Sequence, residues 1–148
     1  MRPLILNAYR CMFALISLSI VGVAAPARAE IPNRPPEKLQ ELATHIFTGK
    51  VVRIYSTVER SSPKAEMTFR VAEIEVASVE KGEHEGRLAY VRFWKRRHLG
   101  SDPPPPAHYG HRGVPKVGAQ TRVYVMTEED GGYDVLSPNG FAPIDPQQ

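Results

Sequence analysis

Residues 47–80 constrain the fold more than any other part of this chain. The first arm reads Phe47-Thr48-Gly49-Lys50-Val51-Val52-Arg53-Ile54-Tyr55, and the second Met67-Thr68-Phe69-Arg70-Val71-Ala72-Glu73-Ile74-Glu75-Val76. A polar turn, Ser61-Ser62-Pro63-Lys64, separates them. Both arms are rich in β-branched and aromatic residues and alternate with a period of two, as strands with one buried face do. The reading is a long antiparallel hairpin on which later segments pair. Gly49 inside the first arm marks a bend or a close backbone approach. In the second arm the apolar phase changes, from Phe69 and Val71 to Ile74 and Val76. A single bulge near Ala72-Glu73 would keep all four inward and help the sheet to curl.

The other elements follow from shorter signals. Residues 31–36 are Pro-rich and read as an extended lead-in, and residues 37–43 hold good helix formers with Leu39 and Leu42 on one face. A turn or two of helix should start near Pro36 and Glu37. The first strand is expected at 46–58. A third, at 87–95, places Ala89, Val91 and Phe93 opposite Leu88, Tyr90, Arg92 and Trp94. A fourth, at 121–127, sets Val123 and Val125 against Tyr124 and Met126. Asp130-Gly131-Gly132 is a hairpin signal, so the fifth strand is 133–136 and residues 137–148 read as a frayed tail. Residues 98–116 show no periodicity and contain prolines at 103–106, which favour polyproline II. A connection of that kind is functional or disordered.

Three strands in a meander, a long connection and then a two-strand hairpin is the order of the five-stranded OB barrel. The expected class is therefore mainly β, an OB-like antiparallel barrel over 46–136 with a short helix before it. Local phrases sharpen this reading. Phe47-Thr48-Gly49-Lys50-Val51-Val52, then Phe69-Arg70-Val71 leading to Val79-Glu80-Lys81-Gly82, then Val117-Gly118 before Val123-Tyr124-Val125, resemble the netrin-module family. That family includes the tissue inhibitors of metalloproteinases and many exported bacterial domains. The resemblance spans roughly residues 46–136 and implies a barrel used for binding, not catalysis. Those inhibitors chelate their target's zinc through an N-terminal cysteine, which the processed chain expected here lacks, so that mechanism does not carry over.

Residues 1–29 read as a cleaved secretory signal. Arg2 and Arg10 supply the positive start, residues 11–25 are almost wholly apolar, and Ala27-Arg28-Ala29 is a cleavage site ahead of Glu30. The apolar run is shorter than the roughly 20 residues of a membrane span, which disfavours an uncleaved anchor. Cys11, the chain's only cysteine, lies at the wrong end of the run for lipidation and leaves with the segment. The mature chain would then have no disulfide, although its compartment permits one. Arg2, Arg10 and Arg28 leave too, with no acid among these positions. The 19 basic residues thus fall by three to 16, against 16 acidic ones. The apparent basicity belongs to the signal. With no net mature charge, there is little counterion-release drive toward nucleic acid. The expected product is periplasmic or extracellular, with no stable membrane anchor.

No nucleophile elbow, Walker loop or His-Glu-x-x-His motif appears. Glu73 and Glu75 share a face, but on an antiparallel strand that spacing reads as the solvent side. The chain therefore reads as a non-enzymatic module without a cofactor. The cluster pointing to binding is Trp94, Lys95, Arg96 and Arg97, with Tyr109, His111, Arg112 and Lys116 across the loop. Cations beside aromatics suit a protein or an anionic ligand. In the competing view, Trp94 packs under the loop and the cations only keep an edge soluble. Two alternatives stand beside this one. His98, His108 and His111, with Asp102 near, would make a metal-binding protein or metal-dependent enzyme, although structural zinc usually takes four closely spaced ligands. The family likeness allows a metallopeptidase inhibitor acting by loop insertion.

Overall fold

The computed structural model describes residues 31–102 and 109–144. The expected export signal, the prolines at 103–106, His108 and the last four residues lie outside them. Helix α1 (Pro36–Leu42) precedes strands β1 (His45–Ser62), β2 (Ala65–Lys81), β3 (Leu88–His98), β4 (Gln120–Thr127), β5 (Tyr133–Val135) and β6 (Phe141–Pro143). The protein is mainly β, as the alternation predicts. Sheet neighbours run β1-β2-β3-β5-β4, and β4 also pairs with β1, which closes a ring of five strands. All pairings are antiparallel except β3 with β5. A short helix before a ring of five strands is the arrangement expected from the sequence.

The ring encloses one apolar core. Phe47, Val51, Ala72, Ile74, Ala89, Val91, Phe93, Val123, Val125, Val135 and Phe141 form it, all buried. Of the two faces that alternation gives β3, that of Ala89, Val91 and Phe93 is inside. β4 is buried on both sides. Val123 and Val125 face the core, while Tyr124 joins Leu39, Ala43, Ile46 and Leu136 in a second cluster around α1. Pro36 opens the helix at a position where its missing N–H costs nothing. At the other end Lys81 Nζ donates to the carbonyl of Gln40 at 2.8 Å, a cation where the helix dipole is negative. Burying Leu39 contributes about 1.5–3 kcal/mol.

The bulge expected near Ala72-Glu73 lies on the opposite strand. β2 pairs with β3 without interruption from Ala65↔His98 to Glu75↔Leu88, so β2 carries no phase break over residues 65–75. The slip there falls on β1, where Val51 opposes Ile74 and Arg53 opposes Glu73, leaving Val52 as the extra residue; the extra residues on β2 come later, at Ala77 and Glu80. Ala72 and Ile74 are therefore fully buried, while Phe69 keeps 42% of its surface exposed. Gly49 does mark a close approach. A Cβ there would collide with the backbone carbonyl of Glu75 and with Ile74 Cγ2.

The tail does not fray over its described part. β6 pairs with β4 through Arg122↔Ala142 and Val123↔Phe141, and Phe141 enters the core. Asn139 clamps the lead-in, its Oδ1 accepting from Arg34 N and its Nδ2 donating to Arg34 O, both at 2.9 Å. The signal missed was Phe141 itself, a large apolar residue one place after a turn. Phe141→Ala should lower the unfolding free energy in urea by about 3–5 kcal/mol. A loss under about 1 kcal/mol would mean that the tail is not part of the core.

Candidate binding cleft beside the end of strand three

The chain after the long connection returns along β3. Arg96 N donates to Tyr109 O and His111 N to Trp94 O, each at 3.0 Å, and Lys95 is bridged to Gly110. This extends the sheet past the short β5, which reaches only Arg92 on β3. Gly110 makes the contact possible. Its φ is 98°, and a Cβ would run into the carbonyl of Trp94. On the far side, Arg112 N donates to Pro138 O at 2.6 Å, and Arg112 Nη1 to Asn33 Oδ1 at 3.0 Å.

His111 is the pin of this segment. It is buried, with Nε2 2.7 Å from Val135 O and Nδ1 3.2 Å from Trp94 N and 3.1 Å from Trp94 O. If Nε2–H donates to Val135, Nδ1 is the acceptor for the Trp94 N–H. Its ring lies edge-on to those of Phe93 and Trp94, at 6.2 and 6.0 Å. Both nitrogens face backbone groups, so the ring as placed has no nitrogen left for a metal. His98 Nε2 sits 3.1 Å from the carbonyl of Asp102, whose carboxylate is paired with Lys64 at 2.5 Å. Among the described residues no group of three or more His, Cys, Asp or Glu side chains could hold a metal ion.

A cleft of about 390 Å³ opens beside this edge, between β1, β2, β3 and β5. Pairing sets Ser56, Arg70 and Phe93 in one cross-strand row on the inner face, between the row of Thr57, Phe69 and Trp94 and the row of Tyr55, Val71 and Arg92, which alternate to the other face, with Asp134 beyond Arg92. All of these line the cleft, as do Ser56, Arg70, Phe93, His111, Val135 and Ser137. Two arginines differ sharply in their surroundings. Arg92 is neutralised, with Nε 2.5 Å from Asp134 Oδ1 and Nη1 2.5 Å from Asp130 Oδ2. Those two bonds hold its proton even more firmly than usual. Arg92, with the backbone N–H of Gly132, holds the Asp130 carboxyl below the usual aspartate range. Arg70 has no side-chain partner among the described residues, and its Nε is shielded from water without a hydrogen bond.

The expected binding residues are only partly gathered here. Trp94 and His111 line the cleft, and Trp94 with Arg96 also borders a shallower recess near Met67 and Ser61. Lys95 is exposed and Tyr109 half-buried beside it. Arg97 pairs with Glu66 at 3.1 Å. Arg112 turns toward the lead-in. Lys116 belongs to the turn whose Gly118 and Ala119 bond Val51 on β1, away from β3. Glu73 accepts from Tyr55 OH at 2.9 Å and Glu75 pairs with Arg87 at 2.5 Å, the solvent-side role expected of them. The lining residues missed in the sequence are Tyr55, Phe69, Arg70, Arg92 and Asp134. The clue was Phe69, an aromatic out of phase with Ala72 and Ile74.

Comparison with protein-family models, with curated proteins and with solved structures finds no match to this chain.

Two measurements check the geometry. In chelator-treated protein, His111→Ala should cost about 1–3 kcal/mol, because Val135 C=O and Trp94 N–H lose their partner. A cost that appears only with added zinc or copper would make the ring a ligand instead. By carboxyl NMR, Asp130 should titrate below ordinary aspartates, and Arg92→Gln should raise its midpoint. A depressed pKa stabilises the fold above the unfolded-state value and loses that effect as pH falls through the folded one. The group is solvent-exposed and screened, so the effect on stability is small. An unmoved midpoint would mean that the Arg92 fork is not kept in solution.

Proposed function

We propose that this chain is an exported, non-enzymatic OB-like binding module. It takes its partner, a protein or an anionic ligand, at the end of β3 and the loop segment bonded to it. The observation carrying this reading is the cleft at Trp94, whose wall is held by backbone hydrogen bonds on both sides. A concave, largely apolar site with a few placed polar groups is the usual form of a ligand site. Its position across β1, β2 and β3 is also where OB-type rings offer a binding face.

The charge supports the same direction. Lys95 is exposed and Arg70 has no acid partner among the described residues, whereas Arg92 and Arg97 are already matched by acids. The netrin-module likeness supports the reading through its local phrases, since that family's barrels serve as binding domains. With residues 1–29 removed as an export signal, the encounter takes place outside the cytoplasm, where a processed chain of 16 bases and 16 acids meets partners through local surface and not through net charge.

The test is capture from the native exported fraction, with mass spectrometry of what is retained. Wild-type protein should hold a species whose recovery falls about tenfold or more with Trp94→Ala, the scale of losing a buried aromatic anchor. Equal recovery by the two proteins would reject this surface.

A further inference from the structure

We infer that β1 pairs edge to edge with β1 of a second copy of this chain, antiparallel, about a two-fold axis at Ser56. This goes beyond the binding cleft and does not rest on it.

The backbone supplies the site. Trp94 O accepts from His111 N, and Arg96 N donates to Tyr109 O, so these two residues turn their backbone groups away from β2. In an antiparallel ladder that orientation alternates from residue to residue. Phe93 and Lys95 therefore bond Arg70 and Thr68 on β2, while Phe69 and Val71 bond Thr57 and Tyr55 on β1. The N–H and C=O of Ile54, Ser56 and Val58 are left pointing out of the sheet. No backbone partner meets them among the described residues. Residues 55–60 are all exposed. The free stretch has natural ends. Val51 is held by Gly118 and Ala119, and an extra residue at Ser61 breaks the ladder near the hairpin tip.

Charge selects the partner and the register. Charged residues on an open edge discourage pairing in general. Here the charges complement themselves. Antiparallel pairing about Ser56 sets Arg53 opposite Glu59 of the second copy, and the symmetry makes that contact twice. It also sets Ile54 opposite Val58 on one face and Tyr55 opposite Thr57 on the other, pairs of the kind that stabilise a ribbon. A slip of two residues either way puts Arg53 against Thr57 or Ser61 and loses both ion pairs. Both groups are available. Arg53 rests on Tyr55, with Nη1 3.2 Å from its hydroxyl, and Glu59 has no ion-pair partner among the described residues. A second copy carries the matching strand by symmetry, whereas an unrelated strand would have to supply it. The pairing also sets two clefts side by side, because Tyr55, Ser56 and Thr57 line each one.

Sedimentation equilibrium of the processed chain tests this. A contact of one short strand edge falls below the roughly 1,200 Å² of a stable interface, so the range to cover is about 10 μM to 1 mM. Wild-type protein should show a monomer–dimer equilibrium there. Arg53→Glu and Glu59→Arg should each weaken it about tenfold, since two symmetry-related contacts turn repulsive at once. An equimolar mixture of those two variants should recover the dimer, because opposite charges meet again at both contacts. Val58→Pro removes an edge N–H without touching the ladder to β2, and should weaken the dimer whatever the charges. Should that variant fail to fold, the mixing experiment decides alone. A monomer throughout the range would overturn the proposal. So would a dimer indifferent to the substitutions, or a mixture that associates no better than its components. Capture of a foreign protein that is lost in Val58→Pro, without self-association, would give the edge to an unlike strand and overturn the second copy as its occupant.

Discussion

Ring closure by β1 is the constraint on which the rest depends. This strand pairs with β2 along most of its length and with β4 from His45↔Val125 to Lys50↔Gln120. One strand serving two neighbours must bend sharply between them. Two devices do this within a few residues. Gly49 lets the backbone of β2 approach where a side chain would block it, and the extra residue Val52 turns the strand and resets its phase. Val51 is fully buried before the bulge, and Ile54 packs on the core after it, three residues later instead of two or four. Without that bend β4 would have no closing partner, and the core side chains on β2 and β3 would face water.

The smaller elements make the closed ring tight. β5 and β6 share one edge of β4 in succession, at Val125–Thr127 and Thr121–Val123, while β1 takes the other edge. Two strands of three residues thus do the work of one longer strand, and Val135 and Phe141 enter the core from them. α1 covers the remaining apolar side of β4 over Tyr124. Because β4 is buried on both faces over Val123–Val125 and paired on both edges, that stretch is closed to pairing with another chain.

Much of the ring was legible in the sequence because alternation reports burial directly. The alternation places β3 and β4 to within a few residues and separates their two faces. Where the reading failed, the cause was physical. The phase change was assigned to β2 because Phe69 and Val71 were assumed to be core. Both residues lie instead out of phase with the buried Ala72 and Ile74, and hydrophobicity alone does not say which face a residue takes. The tail was misread because three-residue strands leave too few positions to show a period. The candidate site was half legible. Trp94 and the returning loop are brought together, but by backbone bonds at Gly110 and His111, which side-chain chemistry does not announce. Arg70 and Asp134 cannot be found from spacing, since they lie on different strands and border one cleft only when the ring closes.

The position of the cleft follows from unequal strand lengths. β1, β2 and β3 run for 18, 17 and 11 residues, whereas β4 has 8 and β5 only 3. The long side of the ring outruns the short side. Past Val51 the second edge of β1 has no strand partner among the described residues, and past Arg92 the second edge of β3 leaves β5. The charged residues Arg53, Glu59 and Arg60 blunt the first of these edges, and the 109–111 segment pairs the second. The overhang is thus walled on one side by a loop and on the other by a hairpin, with the core residue Phe93 between them. A concavity at that level is a consequence of the topology, and its occupant is set by the few side chains the overhang carries. Arg70, on the same face as Phe93, has its Nε buried without a hydrogen bond among the described residues.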